Sequence, residues 1–294
     1  PTGSATPISI LTREILQYAS TIDEAFAIAK KRKTFVSESI LIGSSKDGKA
    51  AIIEKSPEKT VLFKGKEANR LICTNHYQSE EFSKDERNME NIRTSDSPYR
   101  FARLKELICE NLPIDTSKAA SILRNRKGVG EAELGLANEM AINQFIAHHS
   151  VIFQPEKKRM WVSTAPWQCG KYVAYDLNRI FSDSIDFNHE IYTENLTVPA
   201  DSFLQQQEYQ QLMTYKRLAP VLRKQIKKKE RLDEQTLHAF QHANPHFFYV
   251  YELLGDYYHA TGQQDKALRN WKKALLLPIP KRSESERIEH KINN

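Results

Sequence analysis

The chain has 294 residues, and its content of 40% hydrophobic and 27% charged residues is typical of globular proteins. No apolar run approaches the roughly 18 residues that a membrane-spanning helix needs, so we predict no transmembrane segment. The net charge is +6, from 43 basic and 37 acidic residues. This excess is modest for the length. The sequence shows no signal peptide, but that absence says nothing about the cellular compartment.

The first part of the chain predicts two helices followed by antiparallel strands. Residues 7–18 place apolar side chains on one helical face. Thr21 and Glu24 have the spacing of a capping box, which predicts a second helix ending near Arg32. Alternating and apolar segments then predict four strands, at residues 37–42, 50–54, 60–63 and 71–75. This order of elements indicates helices packed on a sheet.

The motif Thr74-Asn75-His76 ends the fourth predicted strand. A strand end has a rigid backbone, so polar side chains there are well placed for chemistry. The alternative for Asn75 is that it simply forms the turn that ends the strand. In a strand the side chain of His76 faces away from that of Asn75. We therefore predict a structural hydrogen-bonding role for His76, with catalysis as the alternative.

Two arginines follow on a predicted helix. Residues 78–96 are polar, charged and without periodicity, which predicts a long surface loop. A helix is then predicted from Ser97, with Pro98 in its first turn, and it carries Arg100 and Arg103 one turn apart. They could hold a substrate carboxylate or brace the loop; the alternative is a surface or salt-bridging role.

Taken in this order, the segments resemble the acyl-coenzyme A:6-aminopenicillanic acid acyltransferase family, which belongs to the N-terminal-nucleophile hydrolases and is related to the choloylglycine hydrolases. The resemblance covers roughly residues 1–180. It implies an α+β fold, the four-layer helix–sheet–sheet–helix sandwich of the N-terminal-nucleophile hydrolases. It rests on Pro1-Thr2-Gly3, the helix from Ile8, Thr74-Asn75-His76, and the stretch from Ser97 to Leu104.

The resemblance also implies a reaction. A cysteine freed by autoproteolytic cleavage attacks a linear amide or an acyl thioester, and the acyl-enzyme then passes its acyl group to water or to an amine. In the family the asparagine of the triplet is the oxyanion donor, which gives Asn75 that role here. Arg100 and Arg103 match arginines of the family segment, as candidate substrate-binding residues. We assign no cofactor. We also assign no metal, since His148 and His149 are adjacent on a predicted strand and point to opposite faces.

The cysteines do not match the family's nucleophile. Cys73, Cys109 and Cys169 are internal, and Pro1-Thr2-Gly3 resembles a point well after the nucleophile strand. We therefore expect the chain to be the later part of such an enzyme, with the N-terminal part of the fold missing. Its expected partners are the upstream part of the same protein, which carries the nucleophile, and a small-molecule amide or acyl substrate.

The last third of the chain has a different character. We predict a hydrolase-like domain over residues 1–200 and an all-α, tetratricopeptide-like region over residues 201–294. Seven residues have the tetratricopeptide spacing, and they are Tyr251, Leu254, Gly255, Tyr258, Ala267, Trp271 and Ala274. One repeat cannot bury its own apolar face, so it must stack on neighbouring helices, and such a region is a possible binding site for a peptide partner.

A basic run at residues 223–231 has two interpretations. It could bind an anionic partner, or it could be the solvated face of a helix. No aromatic residues are interleaved with its lysines, so we predict no nucleic-acid partner.

Two functions therefore compete. The first is the later part of a cysteine N-terminal-nucleophile amidase or acyltransferase. The alternative is a non-catalytic scaffold of the same fold with a peptide-binding helical region. A cysteine at an autocleavage junction upstream would favour the enzyme.

Overall fold

A computed structural model describes residues 5–67, 69–183, 186 and 188–293 of the protein. Pro1-Thr2-Gly3, which contributed to the resemblance, lies outside the described residues. The described residues form helices and two three-stranded antiparallel sheets, so the predicted mixture of helix and sheet is confirmed. The described residues within 1–93, 153–160 and 176–189 form a first compact unit, and those within 94–152, 161–175 and 190–294 form a second.

The first unit begins with two helices, α1 (Ile8–Tyr18) and α2 (Ile22–Lys31), as predicted. The capping box is present, because the Thr21 side chain accepts a hydrogen bond from the Glu24 amide while the Glu24 carboxylate accepts one from the Thr21 amide. The carboxylate of Asp47 also accepts a hydrogen bond from the Ile22 amide at 2.8 Å, and this bond is the main cause of the lowered pKa of Asp47.

A sheet in the order β1-β2-β3 packs against these helices. Its strands are Glu38–Ser44, Lys49–Lys55 and Thr60–Phe63, close to three of the four predicted strands. Ile53 pairs with Ile40 on one side and Leu62 on the other, and all three side chains pack with the core residues of α1 and α2. Successive side chains alternate along a strand, so Glu54 belongs to the opposite face.

The prediction of a fourth strand at residues 71–75 is wrong. These residues join no sheet, and only an isolated bridge between Glu67 and Arg70 precedes them. Burial still alternates, with Ile72 and Thr74 buried and Cys73 partly exposed. The alternation of buried and exposed side chains is therefore present, but the backbone here forms hydrogen bonds with side chains instead of with a neighbouring strand.

The prediction of a loop at residues 78–96 is also wrong. This segment contains a short 3₁₀ turn, Glu80–Phe82, and the helix α3, Glu86–Thr94. The one buried residue of α3 is Asn88. Because the helix packs through an asparagine, its sequence carries no hydrophobic periodicity for a pattern search to detect.

The second unit begins with the helices α4 (Ser97–Glu110) and α5 (Thr116–Leu123). A second sheet has the order β4-β5-β6, with strands Val151–Gln154, Arg159–Ser163 and Tyr172–Asp176. The short helix α6 (Leu177–Ile180), which belongs to the first unit, follows in sequence. Strands β4 and β5 are neighbours in this sheet and form a hairpin across residues 155–158. A small core forms where Trp161, Tyr172 and Ala174 pack with Ala120 and Val198.

Five helices complete the second unit. They are α7 (Gln207–Lys228), α8 (Glu234–Ala243), α9 (Phe248–Ala260), α10 (Gln264–Leu275) and α11 (Arg282–Asn293). They share one large hydrophobic core. The basic end of α7 is exposed, as a solvated helix face would be. Within the described part of the chain, no helix combines the length and the apolar character needed to cross a membrane.

The helices α9 and α10 meet where Gly255 faces Trp271. A Cβ atom added at Gly255 would lie 2.3 Å from Cδ1 of Trp271, so only glycine allows this approach. The indole is 2% exposed and donates a hydrogen bond to Asp256 at 3.0 Å. On α9 the buried carboxylate of Glu252 also accepts hydrogen bonds from Arg287 and Lys291 of α11. The tetratricopeptide-like character of this region and the boundary at residue 200 stay predictions, as does the four-layer sandwich.

We expect Gly255→Leu and Trp271→Ala to be strongly destabilising. The first inserts a side chain into occupied space, and the second leaves a cavity that costs about 3–5 kcal/mol of unfolding free energy. Thermal melts test this, with Leu276→Ala as control, because Leu276 is 85% exposed. Midpoints equal to the wild type for both variants would contradict this packing of α9 against α10.

Candidate functional site

A polar cleft of about 250 Å³ lies in the first unit, around the segment that contains the Thr74-Asn75-His76 motif. It is bordered by residues 37–39, 56, 58, 74–77, 85, 87, 88 and 91. Asn75 and His76 therefore border one cleft, whereas Arg100 and Arg103 belong to the second unit and are not among its lining residues.

The segment that carries Asn75 is anchored by a buried carboxylate. Glu54 of β2 is 0% exposed, and its oxygens accept hydrogen bonds from the amides of Gln78 (2.5 Å) and Ser79 (3.1 Å) and from the Ser79 hydroxyl (2.5 Å). A buried charge is stable only when such donors replace water. Tyr77 adds a second link to β2, since its hydroxyl donates to the carbonyl of Lys55 at 2.5 Å.

The helix α3 holds the same segment from another direction. Asn88 binds both backbone groups of Tyr77, because its Oδ1 accepts from the Tyr77 amide at 2.9 Å and its Nδ2 donates to the Tyr77 carbonyl at 3.2 Å. One turn later, Nδ2 of Asn91 donates to the carbonyl of Asn75 at 2.5 Å. Asp85 fixes the start of the helix by accepting from the Asn88 amide at 2.8 Å.

The motif itself lies at the surface of this scaffold. Asn75 is exposed, and the hydroxyl of Thr74, which is buried, lies 3.1 Å from Nδ1 of His76. Gln78 closes the segment on itself by donating from Nε2 to the carbonyl of Ile72 at 2.7 Å. The contact between Thr74 and His76 agrees with a structural hydrogen-bonding role for His76. That role, and the catalytic alternative, stay predictions.

The residues that line the cleft have a negative formal net charge, although the net charge of the whole chain is +6. Its lining residues include the carboxylates of Glu38, Glu58 and Asp85 and the guanidinium of Arg87. Apart from Tyr77 it contains no large apolar side chain. The cleft is therefore suited to polar groups rather than to a hydrocarbon chain.

Both predicted arginines are engaged in ion pairs. Nε of Arg100 donates to Asp96 at 2.5 Å. Arg103 is 1% exposed, and its guanidinium contacts Glu106 at 3.0 Å and also Glu131. Such contacts are those expected if the two arginines form salt bridges or brace a loop. A substrate-binding role for Arg100 or Arg103 stays a prediction.

The environments of two thiols oppose their use as nucleophiles. Burial raises the pKa of Cys73 to about 11 and also raises the pKa of Cys169. Since the thiolate is the reactive form, both are poorly activated. Cys73, Cys109 and Cys169 form no disulfide bonds, and none of them borders the cleft.

A comparison with protein families agrees with the resemblance. The model of the family described as acyl-coenzyme A:6-aminopenicillanic acid acyl-transferase matches residues 1–166, more than half of the chain. The chain belongs to this acyltransferase family. No curated protein and no solved structure shows significant similarity to it.

The acyltransferase-family match includes the whole cleft of the first unit, and the family suggests acyltransferase or amidase-type activity for the chain. Helices α7 to α11 lie beyond the matched residues, so the family says nothing about them.

Sequence reasoning missed three residues that build the site. They are Glu54, Asn88 and Asn91. A signal existed for Glu54, because it lies two residues after Ile52 on the same strand and so shares its buried face. A carboxylate on a buried face must have polar partners. The Asp85-to-Asn88 spacing offered a capping signal for α3.

We expect Glu54→Gln to lower the free energy of unfolding by about 1–3 kcal/mol. The new NH₂ group would face N–H and O–H donors, leaving at least one buried donor without an acceptor. Urea denaturation measures this, with Glu38→Gln on the neighbouring strand as control, because Glu38 is exposed. Equal midpoints for the two variants would contradict an anchoring role for Glu54.

Proposed function

We propose that this chain is the later part of a cysteine N-terminal-nucleophile amidase or acyltransferase, acting on linear amide C–N bonds or acyl thioesters. The observation that carries the proposal is the position of Asn75. It borders a polar cleft in the family-matched region, on a segment whose backbone is held by side-chain hydrogen bonds.

In the proposed reaction a thiolate attacks the carbonyl carbon of the substrate. The carbonyl oxygen becomes an oxyanion, which collapses as the amine or thiol leaves with a proton, and an acyl-enzyme remains. Water or an acceptor amine then attacks the acyl-enzyme and restores the thiol. Both tetrahedral intermediates need a hydrogen-bond donor that is already in place.

Asn75 is the proposed donor. An amide Nδ2 donates a hydrogen bond without titrating, so its contribution does not depend on pH. It is useful only if its position is fixed before the oxyanion forms. The bonds from Asn91 to the Asn75 carbonyl and from Asn88 to both backbone groups of Tyr77 support this requirement.

The proposed nucleophile is a cysteine outside residues 1–294, upstream in the same protein. The raised pKa values of Cys73 and Cys169 support this proposal, as does the absence of all three cysteines from the cleft lining. The alternative is a scaffold of the same fold without catalysis, whose helical region binds a peptide.

We expect Asn75→Ala to reduce kcat about 10²- to 10³-fold in the catalytically active protein, because one oxyanion donor is lost. The substrates are chromogenic acyl anilides and acyl thioesters, and the melting temperature should be unchanged. Asn178→Ala is the matched control, since Asn178 is an exposed asparagine of the same unit. Normal turnover by Asn75→Ala would refute the oxyanion role.

We expect the purified segment 1–294 to show no amide or thioester turnover, because its thiols are not placed as nucleophiles. Adding the upstream segment should restore activity, and a thiol-alkylating reagent should then abolish it. Alkylation-sensitive turnover by the segment alone would place the nucleophile within it. Lack of turnover with both segments present would favour the scaffold.

A further inference from the structure

The helix α3 presents two asparagines to the segment that carries Asn75. Asn88 and Asn91 are three residues apart, so they share one helical face. Together they satisfy the carbonyl of Asn75 and both the amide and the carbonyl of Tyr77. The helix thus takes the place of a neighbouring strand, with side-chain amides in place of backbone partners.

The two asparagines hold different parts of the segment. Asn88 is buried and binds the backbone beyond the motif, next to the anchor that Glu54 provides at Gln78 and Ser79. Both asparagines border the cleft, but Asn91 is less buried and contacts Asn75 itself through the hydrogen bond to its carbonyl. Loss of Asn88 should therefore loosen the fold locally, whereas loss of Asn91 should free only the peptide group of Asn75.

We propose that Asn91 is a positioning residue that sets the orientation of Asn75 for oxyanion binding. The inference rests on the proposed function, since it assigns a role in the same reaction. The carbonyl of Asn75 belongs to the same residue as the donor side chain. Fixing that carbonyl limits rotation of the Asn75 backbone and thus the direction in which its side chain leaves the segment. A displacement of about 1 Å at a reacting group can cost up to about 10²-fold in rate.

The first test is the kinetics of Asn91→Ala and Asn91→Asp in the catalytically active protein. Aspartate keeps the size of the side chain but cannot donate a hydrogen bond when ionised. We expect both variants to lower kcat about 10-fold with little change in KM, because a donor that is less well ordered stabilises the transition state less. Glu90→Gln, an exposed change on the same helix, is the control and should be silent.

The second test separates positioning from a general structural effect. If Asn91 acts through Asn75, then Asn91→Ala should lower kcat about 10-fold in the wild type but less than about 2-fold when added to Asn75→Ala. An equal loss in both backgrounds would overturn the positioning role. A raised KM with normal kcat would overturn it too, since it would indicate direct substrate contact.

The outcomes distinguish this inference from the proposed function. Loss of turnover with Asn75→Ala but normal kcat with both Asn91 variants would refute only the positioning role. A silent Asn75→Ala would refute the oxyanion role, and the positioning role with it. If Asn91→Ala has a lower melting temperature than the wild type, its kcat alone is not decisive. The kcat of Asn91→Asp, measured at full thermal stability, then decides whether Asn91 is a positioning residue.

Discussion

The carboxylate of Glu54 is enclosed by protein and accepts three hydrogen bonds, two from backbone amides and one from a hydroxyl. A buried carboxylate without partners is unstable by several kcal/mol, so residues 78 and 79 must remain where they satisfy it. This requirement fixes the chain immediately after the Thr74-Asn75-His76 motif to strand β2. The position of the motif in the first unit therefore depends on one buried carboxylate and the donors that it binds.

The remaining contacts extend this anchor toward the cleft. Tyr77 bonds to the Lys55 carbonyl, Asn88 holds the backbone of Tyr77, and Asn91 holds that of Asn75. Each of these bonds has a side chain as one partner, which distinguishes the segment from an ordinary strand of a sheet. Side-chain partners allow consecutive residues, from Thr74 to Tyr77, to border one cleft. The exposed Asn75 thus has a constrained backbone, and a preorganised position is what the proposed oxyanion role requires of a donor.

Local signals in the sequence were sufficient for much of the fold. The Thr21 capping box, the three strands of the first sheet and the helical character after residue 201 follow from spacing and periodicity, and the structure has each of them. The family was also recognisable from the order of its motifs. The close contact of Gly255 with Trp271 is consistent with the spacing that singled out both residues. These features depend on residues close together in the chain or on apolar repetition.

Features that depend on polar contacts between distant residues were not predictable in the same way. The helix α3 packs through Asn88, so its pattern resembled that of a loop. Residues 71–75 have the alternation of a strand, but periodicity does not specify whether a partner strand exists. Glu54 lies 24 residues from Gln78, and no local pattern links the two. The site is built by such contacts, which is why the sequence indicated Asn75 but not the residues that hold it.

The central claim is that the segment carrying Asn75 is held rigidly although it belongs to no sheet. Amide hydrogen exchange at Tyr77, Gln78 and Ser79 tests it most directly, since these amides donate to Asn88 and Glu54. We predict protection comparable to that of the amides paired between β2 and β3, and its selective loss at Gln78 and Ser79 in Glu54→Gln. Exchange of all three amides in the wild type at the rate of an unstructured peptide would contradict the account.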